Sequence, residues 1–288
     1  MGGHFFNLYY EKIEGIVKMI VLCLIVILIA SIIYCRYQTY RLVEKHFLVE
    51  KNTQLSIKKG ESSTYTIAQI SDSHFSPFYQ PERFTKIVTQ LNQAQPEIVL
   101  FTGDLIENYN YWQTHDCTAI SRQLAKIQAS VGKFAILGNH DYRSDGAAVV
   151  KKMLLDGGFT LLENQSILVD GISLTGIDDA QEGTPDYAVK TLPASFSLLM
   201  IHEPDQVKNI ADISSFDLIL AGHSHGGQIR FPFFPYKNYG SKIYDKGIYP
   251  LTITTSLVVN TGLGTTGPPL RFRVPPEILY FHIEKGSE

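Results

Sequence analysis

The chain has 288 residues, 44% of them hydrophobic, and a formal net charge of −3 at pH 7. The composition is ordinary for a folded protein and allows a sizeable core, and it excludes the strongly basic balance usual in nucleic-acid-binding proteins. The three cysteines, Cys23, Cys35 and Cys117, have neither a disulfide framework nor zinc-ligand spacing. They therefore leave the redox compartment undefined.

The amino-terminal segment is the one strong break in composition. Residues 16–34 are apolar apart from Lys18 and Ser31, and as a helix they would extend roughly 28 Å, close to the thickness of a bilayer core. The alternative is a cleaved signal peptide, but the apolar run is long for one and no small-residue cleavage site closes it. We predict a retained single-span anchor within residues 1–35, followed by a juxtamembrane stem over residues 36–63.

Basic residues flank the apolar run on both sides. They are Lys12 and Lys18 near its start, and Arg36, Arg41, Lys45 and Lys51 after it. Cytoplasmic segments beside a membrane span carry an excess of Lys and Arg, so the larger number after the run favours a soluble domain on the cytoplasmic side. The sequence thus predicts a single-pass cell-membrane protein.

The soluble part, residues 64–288, alternates strands and helices in its first half. Strands are predicted over residues 64–71, 97–102 and 133–137, and helices over 81–93, 114–129 and 145–156. The second half is β-rich, with strands predicted over 160–162, 167–169, 172–176, 196–201, 218–221, 228–231, 257–260 and 278–283. A further short strand is predicted at 47–49, within the stem. This order predicts an α/β fold of two packed β-sheets flanked by helices, with ligands in loops at the carboxyl ends of strands.

Side chains that can bind metals follow several of these apolar runs. In chain order they are Asp72-Ser73-His74, Gly103-Asp104, Gly138-Asn139-His140-Asp141, His202 and Gly222-His223-Ser224-His225. Two adjacent divalent cations need about seven or eight N and O donors, which no single loop supplies. A glycine before a ligand lets the backbone turn sharply and brings the donor close. Each piece alone is a common turn or loop pair, but their joint occurrence beside strand ends predicts a dinuclear metal site.

This arrangement resembles the calcineurin-like metallophosphoesterase family, whose ordered motifs are D-x-H, G-D, G-N-H-D/E, a lone H and G-H-x-H. The match covers roughly residues 65–282. The resemblance implies one metal held by Asp72, His74 and His225, a second held by Asn139, His202 and His223, and Asp104 as the ligand that bridges them. It also implies two divalent ions, with Mn²⁺, Fe or Zn²⁺ all compatible with N and O donors.

The resemblance further implies roles for the residues around the metals. His140 would act at the leaving-group oxygen, as a general acid or as a stabiliser of the transferring phosphoryl group, and Asp141 would orient His140. Glu107 departs from the family, whose members often have Asp at that position. The implied reaction is attack on phosphorus by a hydroxide that the metals generate near neutral pH. No covalent intermediate with the protein is needed.

Two carboxyl-terminal segments resemble a membrane-associated bacterial branch of this family. They are Gly222-His223-Ser224-His225-Gly226-Gly227-Gln228, with the aromatic residues 231–236 after it, and residues 262–278. That branch includes enzymes that cleave the pyrophosphate of UDP-2,3-diacylglucosamine and phosphodiesterases of unassigned substrate. The aromatic residues could accept an acyl chain or pack on the core. Arg271 and Arg273 could pair with a substrate phosphate or remain solvated.

Rival functions separate by chemistry. We expect hydrolysis of a phosphodiester or pyrophosphate bond. One candidate is the bond in a lipid-linked substrate such as UDP-2,3-diacylglucosamine. The first alternative is a phosphomonoesterase or protein phosphatase, and the second is a membrane-tethered binding module that has lost catalysis. The complete donor set argues against the second alternative. We expect no nucleic-acid partner, and the sequence does not predict the oligomeric state.

Overall fold

The computed structural model describes residues 2–49, 56–57, 65–231 and 236–283, and it describes side chains from Tyr9 onward except at 56–57. The helices are α1 Gly2–Gln38, α2 Thr85–Ala94, α3 Tyr109–Trp112, α4 Thr118–Leu124, α5 Asn139–Tyr142 and α6 Ala147–Asp156. The strands are β1 Val43–Val49, β2 Ser56–Ile57, β3 Tyr65–Ile70, β4 Ile98–Thr102, β5 Gly132–Ile136, β6 Thr160–Leu161, β7 Gln165–Val169, β8 Ile172–Gly176, β9 Phe196–Met200, β10 Leu218–Ala221, β11 Gly247–Pro250, β12 Ser256–Val259 and β13 Glu277–Ile283.

Two mixed sheets form the domain. Within the described ranges, the first has the order β2-β1-β13-β3-β4-β5-β6 and the second the order β11-β12-β10-β9-β8-β7. The central strands of each sheet, β3-β4-β5 and β8-β9-β10-β12, run parallel, so their carboxyl ends share one edge of each sheet. The predicted α/β architecture of two packed sheets flanked by helices is confirmed.

The core lies between the sheets and beneath the helices. Leu100 of β4 packs in the same buried cluster as Leu198 of β9 and Leu220 of β10, so the two sheets meet face to face. The opposite face of the first sheet is covered by α2, α4 and α6, whose buried residues include Leu91, Leu124, Val150 and Leu154. Strand β4 is buried at every position, as its continuous apolar run predicts.

Two predicted elements differ from the structure. The helix predicted over 114–129 shortens to α4 because the Asp116 carboxylate accepts hydrogen bonds from the backbone N–H and hydroxyl of Thr118, which starts the helix there. Beyond its end, the side chain of Asn92 bonds the backbone of Lys126 and Gln128. The strand predicted over 228–231 reduces to one bridge between Ile229 and Phe272.

The stem predicted over residues 36–63 is wrong for 43–49. Strand β1 pairs along its whole length with β13, and Phe47 and Val49 are buried in the core between the sheets. The polar residues 44–46 are exposed, which conceals the strand in the sequence. Its partner lies more than two hundred residues further along the chain, so local patterning cannot reveal the pairing. The rest of the stem, apart from the end of α1 and Ser56–Ile57, largely falls outside the described residues.

Helix α1 contains the predicted anchor. The part of this helix from Tyr9 to Gln38 is long and apolar enough to cross a membrane. The most apolar stretch of that part is not buried against the rest of the protein. The helix ends only five residues before β1 begins, and its end is fixed to the domain. Arg271 N donates to the Cys35 carbonyl (3.0 Å), and Arg36 Nη1 donates to the Pro269 carbonyl (3.4 Å). Arg83 Nη2 donates to both oxygens of Thr39.

Candidate metal centre

The predicted ligands meet where the two sheets present their strand ends. Asp72 follows β3, Asp104 follows β4, and Asn139 begins α5 directly after the β5 turn. His202 follows β9 and His223 follows β10. The parallel direction of these strands brings loops from both sheets to one edge, as strand–loop folds do at ligand sites.

The backbone at these ligands is strained. Five of them have a positive φ although none is glycine: Asp72, His74, Asp104, His223 and His225, with values from 44° to 65°. Such backbone costs of order 1–2 kcal/mol per residue, and it clusters at functional sites. Gly138, whose φ is negative, is needed for a steric reason. A Cβ at this position would collide with the Asp104 carboxylate.

The first donor group consists of Asp72, His74 and His225. The Nε2 atoms of the two histidines lie 2.9 Å apart. Asp72 Oδ1 lies 3.5 Å from His225 Nε2 and 3.8 Å from His74 Nε2. All three side chains are buried, and their donor atoms converge within 4.8 Å of one another. Convergent imidazole nitrogens and a carboxylate oxygen fit a divalent transition-metal ion.

The second donor group lies beside the first. His223 Nδ1 is 3.2 Å from Asn139 Oδ1 and 3.3 Å from His202 Nε2. Asp104 Oδ2 joins the two groups, because it lies 3.2 Å from His202 Nε2 and 3.4 Å from His74 Nε2. Its other oxygen accepts a hydrogen bond from the His140 backbone N–H (2.8 Å). This is the position that a bridging carboxylate requires.

In three of these histidines, one ring nitrogen contacts a group outside the donor cluster, and this contact sets which nitrogen faces the other donors. His202 Nδ1 lies 2.8 Å from the Thr102 carbonyl, and His223 Nε2 lies 2.6 Å from the Tyr239 carbonyl. A carbonyl only accepts, so each of these nitrogens carries a hydrogen and the opposite nitrogen is the one left to bind a cation. His74 Nδ1 forms an ion-pair contact with Glu107 Oε2 at 2.7 Å. Orienting partners of this kind are typical of metal-ligating histidines, so the residues fit two cations.

The electrostatics of the centre favour positive charge. Burial by itself lowers the pKa of His74, but the nearby carboxylates of Asp72, Glu107 and Asp104 together outweigh burial and raise the pKa to about 10. Burial by itself raises the pKa of Asp72, but the nearby His74, His225 and His202 rings together outweigh burial and lower the pKa to about 2. The carboxylates therefore hold protons on nearby imidazoles, and a divalent cation competes with those protons for the same lone pairs.

His140 lies beside the donors and lines the adjoining cavity. Its ring meets that of His74 edge-on, with centroids 4.6 Å apart. Its Nδ1 atom lies 2.8 Å from the Glu107 carbonyl and 2.9 Å from Arg143 Nη1, so Nε2 is the ring nitrogen left for a substrate. Burial is the main reason that the pKa of His140 falls to about 4. The ring is therefore neutral at pH 7 in the protein without substrate.

Two residues have roles other than those predicted. The Asp141 carboxylate accepts hydrogen bonds from backbone N–H groups of Asp104, Leu105 and Gly138 at 2.8–2.9 Å. It thus fixes the loop that carries Asp104, whereas the prediction had it orient the His140 ring. Glu107, whose role the sequence left undefined, holds His74 and accepts from the Thr266 hydroxyl (3.1 Å).

Arg271 neither faces a substrate nor is solvated, which were the two predicted alternatives. Its guanidinium is fully buried and donates to the carbonyls of Thr261, Gly262 and Gly264, with Nη2 also 3.3 Å from His225 Nδ1. It therefore braces the loop beside the first donor group. Arg273 is exposed on a left-handed turn with φ of 61°. The two do not share a face, because residues 271–273 are not in an extended strand.

A cavity of about 580 Å³ opens over the centre. Asn139, His140, His223 and His225 contribute to its lining, and its other lining residues include Arg143, Gln181, Tyr236, Tyr239, Thr266 and Pro268. Of the predicted aromatic residues 231–236, Phe231 and Tyr236 are described, and only Tyr236 is among these lining residues. Arg143 was missed by sequence reasoning, although its position three residues after His140 places both at one turn's spacing.

Residues 65–227 match the family model described as calcineurin-like phosphoesterase, which is more than half of the chain. The chain belongs to this family. The metallophosphoesterase is 36% identical over 268 residues to the uncharacterized metallophosphoesterase YkuE of Bacillus subtilis, covering 88% of this chain and 90% of YkuE. It is 28% identical to an uncharacterized metallophosphoesterase of Aquifex aeolicus, over 86% of this chain and 97% of that protein.

Among solved structures, the chain is similar to a dimetal phosphatase from Danio rerio. The TM-score is 0.46 at 12% identity, over 72% of this chain and 90% of that one. The family membership makes the protein a metal-dependent phosphoester hydrolase with a phosphoester substrate. The predicted family and enzyme class are confirmed.

Proposed function

We propose that the enzyme hydrolyses a phosphodiester or pyrophosphate bond, with two divalent cations at the donor groups. The observation that carries this proposal is the Asp104 carboxylate, whose Oδ2 lies within 3.4 Å of a histidine from each group. When bound, the cations would lower the pKa of a water molecule and offset the negative charge of the phosphoryl oxygens. Mn²⁺, Fe and Zn²⁺ all suit the N and O donors.

The ligands divide between the two cations as follows. Asp72, His74 and His225 would hold one, Asn139, His202 and His223 the other, and Asp104 both. The contacts to Glu107, Thr102 and Tyr239 keep the histidine lone pairs directed inward. Asp141 accepts hydrogen bonds from the backbone of the loop that carries Asp104. The bridging carboxylate would therefore need no rearrangement when substrate binds.

His140 and Arg143 would act on the substrate itself. Both line the cavity. His140 Nδ1 can either donate to the Glu107 carbonyl or accept from Arg143, and we propose that the substrate complex uses the second arrangement, which leaves the hydrogen on Nε2. A hydrogen on Nε2 can stabilise a phosphoryl or leaving-group oxygen. The neutral state of His140 before binding favours this hydrogen-bonding role over that of a pre-protonated general acid. The exposed Arg143 guanidinium can pair with a second phosphate oxygen.

The junction with α1 supports a lipid-linked substrate. Residues 19–35 carry no charge between Lys18 and Arg36, and these 17 residues extend roughly 26 Å as a helix, about one bilayer core. Arg36 would then lie at the membrane surface, where it donates to the Pro269 carbonyl. The neighbouring Pro268 lines the cavity. We propose a single-pass protein whose site lies at head-group level and acts on a lipid or nucleotide-lipid such as UDP-2,3-diacylglucosamine.

The basic residues after the apolar run favour a catalytic domain on the cytoplasmic face. Placing a cysteine at an exposed domain position, such as Ile253→Cys, and labelling intact cells with a membrane-impermeant maleimide would test this. Labelling only after lysis is expected. Labelling of intact cells would place the domain outside.

The substrate class is testable with purified full-length enzyme. Loaded with Mn²⁺, it is expected to hydrolyse an aryl phosphodiester faster than the matched aryl phosphomonoester, and to release UMP from UDP-2,3-diacylglucosamine. The His140→Ala variant is the control for contaminating activity. Faster turnover of the monoester would support the phosphomonoesterase alternative. Good diester turnover without UMP release would remove the specific lipid while leaving the reaction class.

A further inference from the structure

A set of exposed aromatic side chains surrounds the domain end of α1. We call it the aromatic collar and define it as Tyr34, Tyr37, Tyr40, Phe78 and Phe231. Their exposed fractions are between 48% and 64%. Large aromatic side chains are seldom left so exposed in one neighbourhood without a binding partner. Tyr34 and Tyr37 belong to the helix, Tyr40 lies in the turn directly after it, and the other two come from separate loops of the catalytic domain.

Phe231 and Phe78 are each connected to the helix end through one intervening side chain. On one side the Phe231 ring packs on Phe272 with centroids 5.5 Å apart, and Phe272 meets Tyr34 at 6.2 Å. On the other side Arg83 connects Phe78 to the helix. Its Nη1 donates to the Phe78 carbonyl, its Nη2 donates to Thr39, and its guanidinium lies 3.9 Å from the Tyr40 ring centroid.

The other end of α1 shows the matching feature. Tyr9 and Tyr10 are 68% and 71% exposed. The 24 residues from Tyr10 to Tyr34 extend roughly 36 Å along a helix, which places aromatic rings near both surfaces of a bilayer. Tyrosine and tryptophan are enriched at those two levels because an amphipathic ring suits the boundary between head groups and acyl chains. Aromatic rings at both ends of one apolar helix indicate that its two ends lie at the two interfaces.

We propose that the aromatic collar is a bilayer-contact surface, and that Phe78 and Phe231 insert into the interface of the same membrane that α1 spans. The occupant is the head-group layer, because the collar is continuous with the span and because Arg36 and Arg41 lie beside it to meet lipid phosphates. The helix end is bonded directly to the domain, so this contact fixes the orientation of the cavity. Pro268, which lines the cavity, is followed by Pro269, whose carbonyl accepts from Arg36 at the helix end.

This inference rests on the proposed membrane span and is independent of the proposed substrate. The test is tryptophan fluorescence of the full-length protein in nanodiscs made with ordinary or brominated phosphatidylcholine, since bromine quenches only nearby indoles. The variants are Phe78→Trp, Phe231→Trp, Leu28→Trp inside the span, and Ile253→Trp. Ile253 is 86% exposed and lies before the amino end of β12, opposite the metal centre. The native Trp112 is 3% exposed and gives a constant background.

We expect brominated lipid to remove roughly half of the added emission at positions 78 and 231, because interfacial rings lie at head-group level. Position 28 should be quenched strongly, most of all by bromine near the chain ends, whereas positions 78 and 231 should respond best to bromine near the head groups. Position 253 should match the wild type. Emission at 78 and 231 as insensitive as at 253, with position 28 quenched, would overturn the proposal. An unquenched position 28 would overturn the span and the collar together.

A second measurement links the collar to catalysis. The Phe78→Ser/Phe231→Ser double variant is expected to raise KM severalfold for a vesicle-bound substrate and to leave kcat/KM for a soluble aryl diester unchanged. Equal loss on both substrates would mean that these residues act on the site itself, which contradicts a membrane-contact role. The fluorescence test needs no turnover, so it stands even if the enzyme hydrolyses another phosphoester.

Discussion

The core between the sheets and the metal centre at their edge are built by opposite rules. In the core, leucines such as Leu100 and Leu198 lie in regular strands and are fully buried. At the edge, buried carboxylates and imidazoles lie on backbone with positive φ. Unsatisfied charge and left-handed backbone both oppose folding, so the centre depends on the stability that the core provides.

The comparison implies that changes at the centre and in the core should have separable effects. A change at the centre should remove metal and turnover while the fold persists. A change in the core should weaken the fold while the metal stoichiometry of the folded molecules persists.

The largest effect is expected for Asp104→Ala. This change removes the oxygen shared by both donor groups, so metal binding should be depleted. The loss of several kcal/mol of transition-state stabilisation should lower kcat about 10³-fold or more. Metal content by mass spectrometry and hydrolysis of an aryl diester check this. The control is the exposed Asp116→Ala, which loses a surface ion pair with Arg122 and the hydrogen bonds from Thr118 at the start of α4. It should keep both properties.

The core counterpart is Leu198→Ala. It leaves a cavity between the sheets, and we expect a loss of about 2–5 kcal/mol in the free energy of unfolding, measured by denaturant titration of the metal-free protein. The folded fraction should keep its metal content and kcat. Leu168→Ala, at a 57% exposed position in β7, should change stability little. A normal unfolding midpoint for Leu198→Ala would contradict the assignment of the core.

His140→Ala should separate catalysis from metal binding. The side chain is not a ligand in this account, so metal content should persist while kcat falls about 10²-fold. The matched control is the exposed His115→Ala. Equal metal loss in His140→Ala and Asp104→Ala would show that His140 ligates a cation.

Glu107→Gln tests the outer contact to His74. Loss of the carboxylate should weaken the inward orientation of Nε2 and reduce metal affinity about tenfold, read by competition with a fluorescent chelator. Glu163→Gln removes a surface partner of Lys151 and should leave affinity unchanged. An unchanged affinity in Glu107→Gln would remove its role at the first donor group.

The residues that converge at the centre were predictable from the sequence and the groups that support them were not, for one physical reason. Each ligand follows an apolar run in a short motif, so the sequence itself carries the signal. Arg271 and Asp141 act through backbone groups, which have no sequence signature. Strand β1 was predicted only at 47–49, because its exposed residues 44–46 lack an apolar pattern, and its pairing was missed because β13 is distant in the chain.

The smallest effect is the dependence on pH. In the metal-free protein the raised pKa of His74 means that its charged state stabilises the fold fully below its unfolded pKa of about 6.5, and this contribution is lost as pH rises toward about 10. The lowered pKa of Asp72 contributes above about pH 4 and is lost as pH falls toward about 2. The contribution of this pair to metal-free stability should therefore be highest in mildly acidic solution, as the difference between thermal melts of the wild type and His74→Ala at several pH values would show.

Metal affinity should change in the opposite direction over the same range. Each proton displaced from an imidazole makes the apparent dissociation constant fall about tenfold per pH unit between roughly pH 6 and 8. Isothermal titration in buffers of different ionisation enthalpy would count the protons released. Release of none would contradict the raised pKa of His74.

The most direct test of the whole account is the number of cations that one chain binds. Metal-depleted protein reloaded with Mn²⁺ and freed of excess ion should retain about two equivalents, and activity should follow the second equivalent. Saturation at one equivalent with full activity, or retention of two equivalents by Asp104→Ala, would contradict a dinuclear centre joined by that carboxylate.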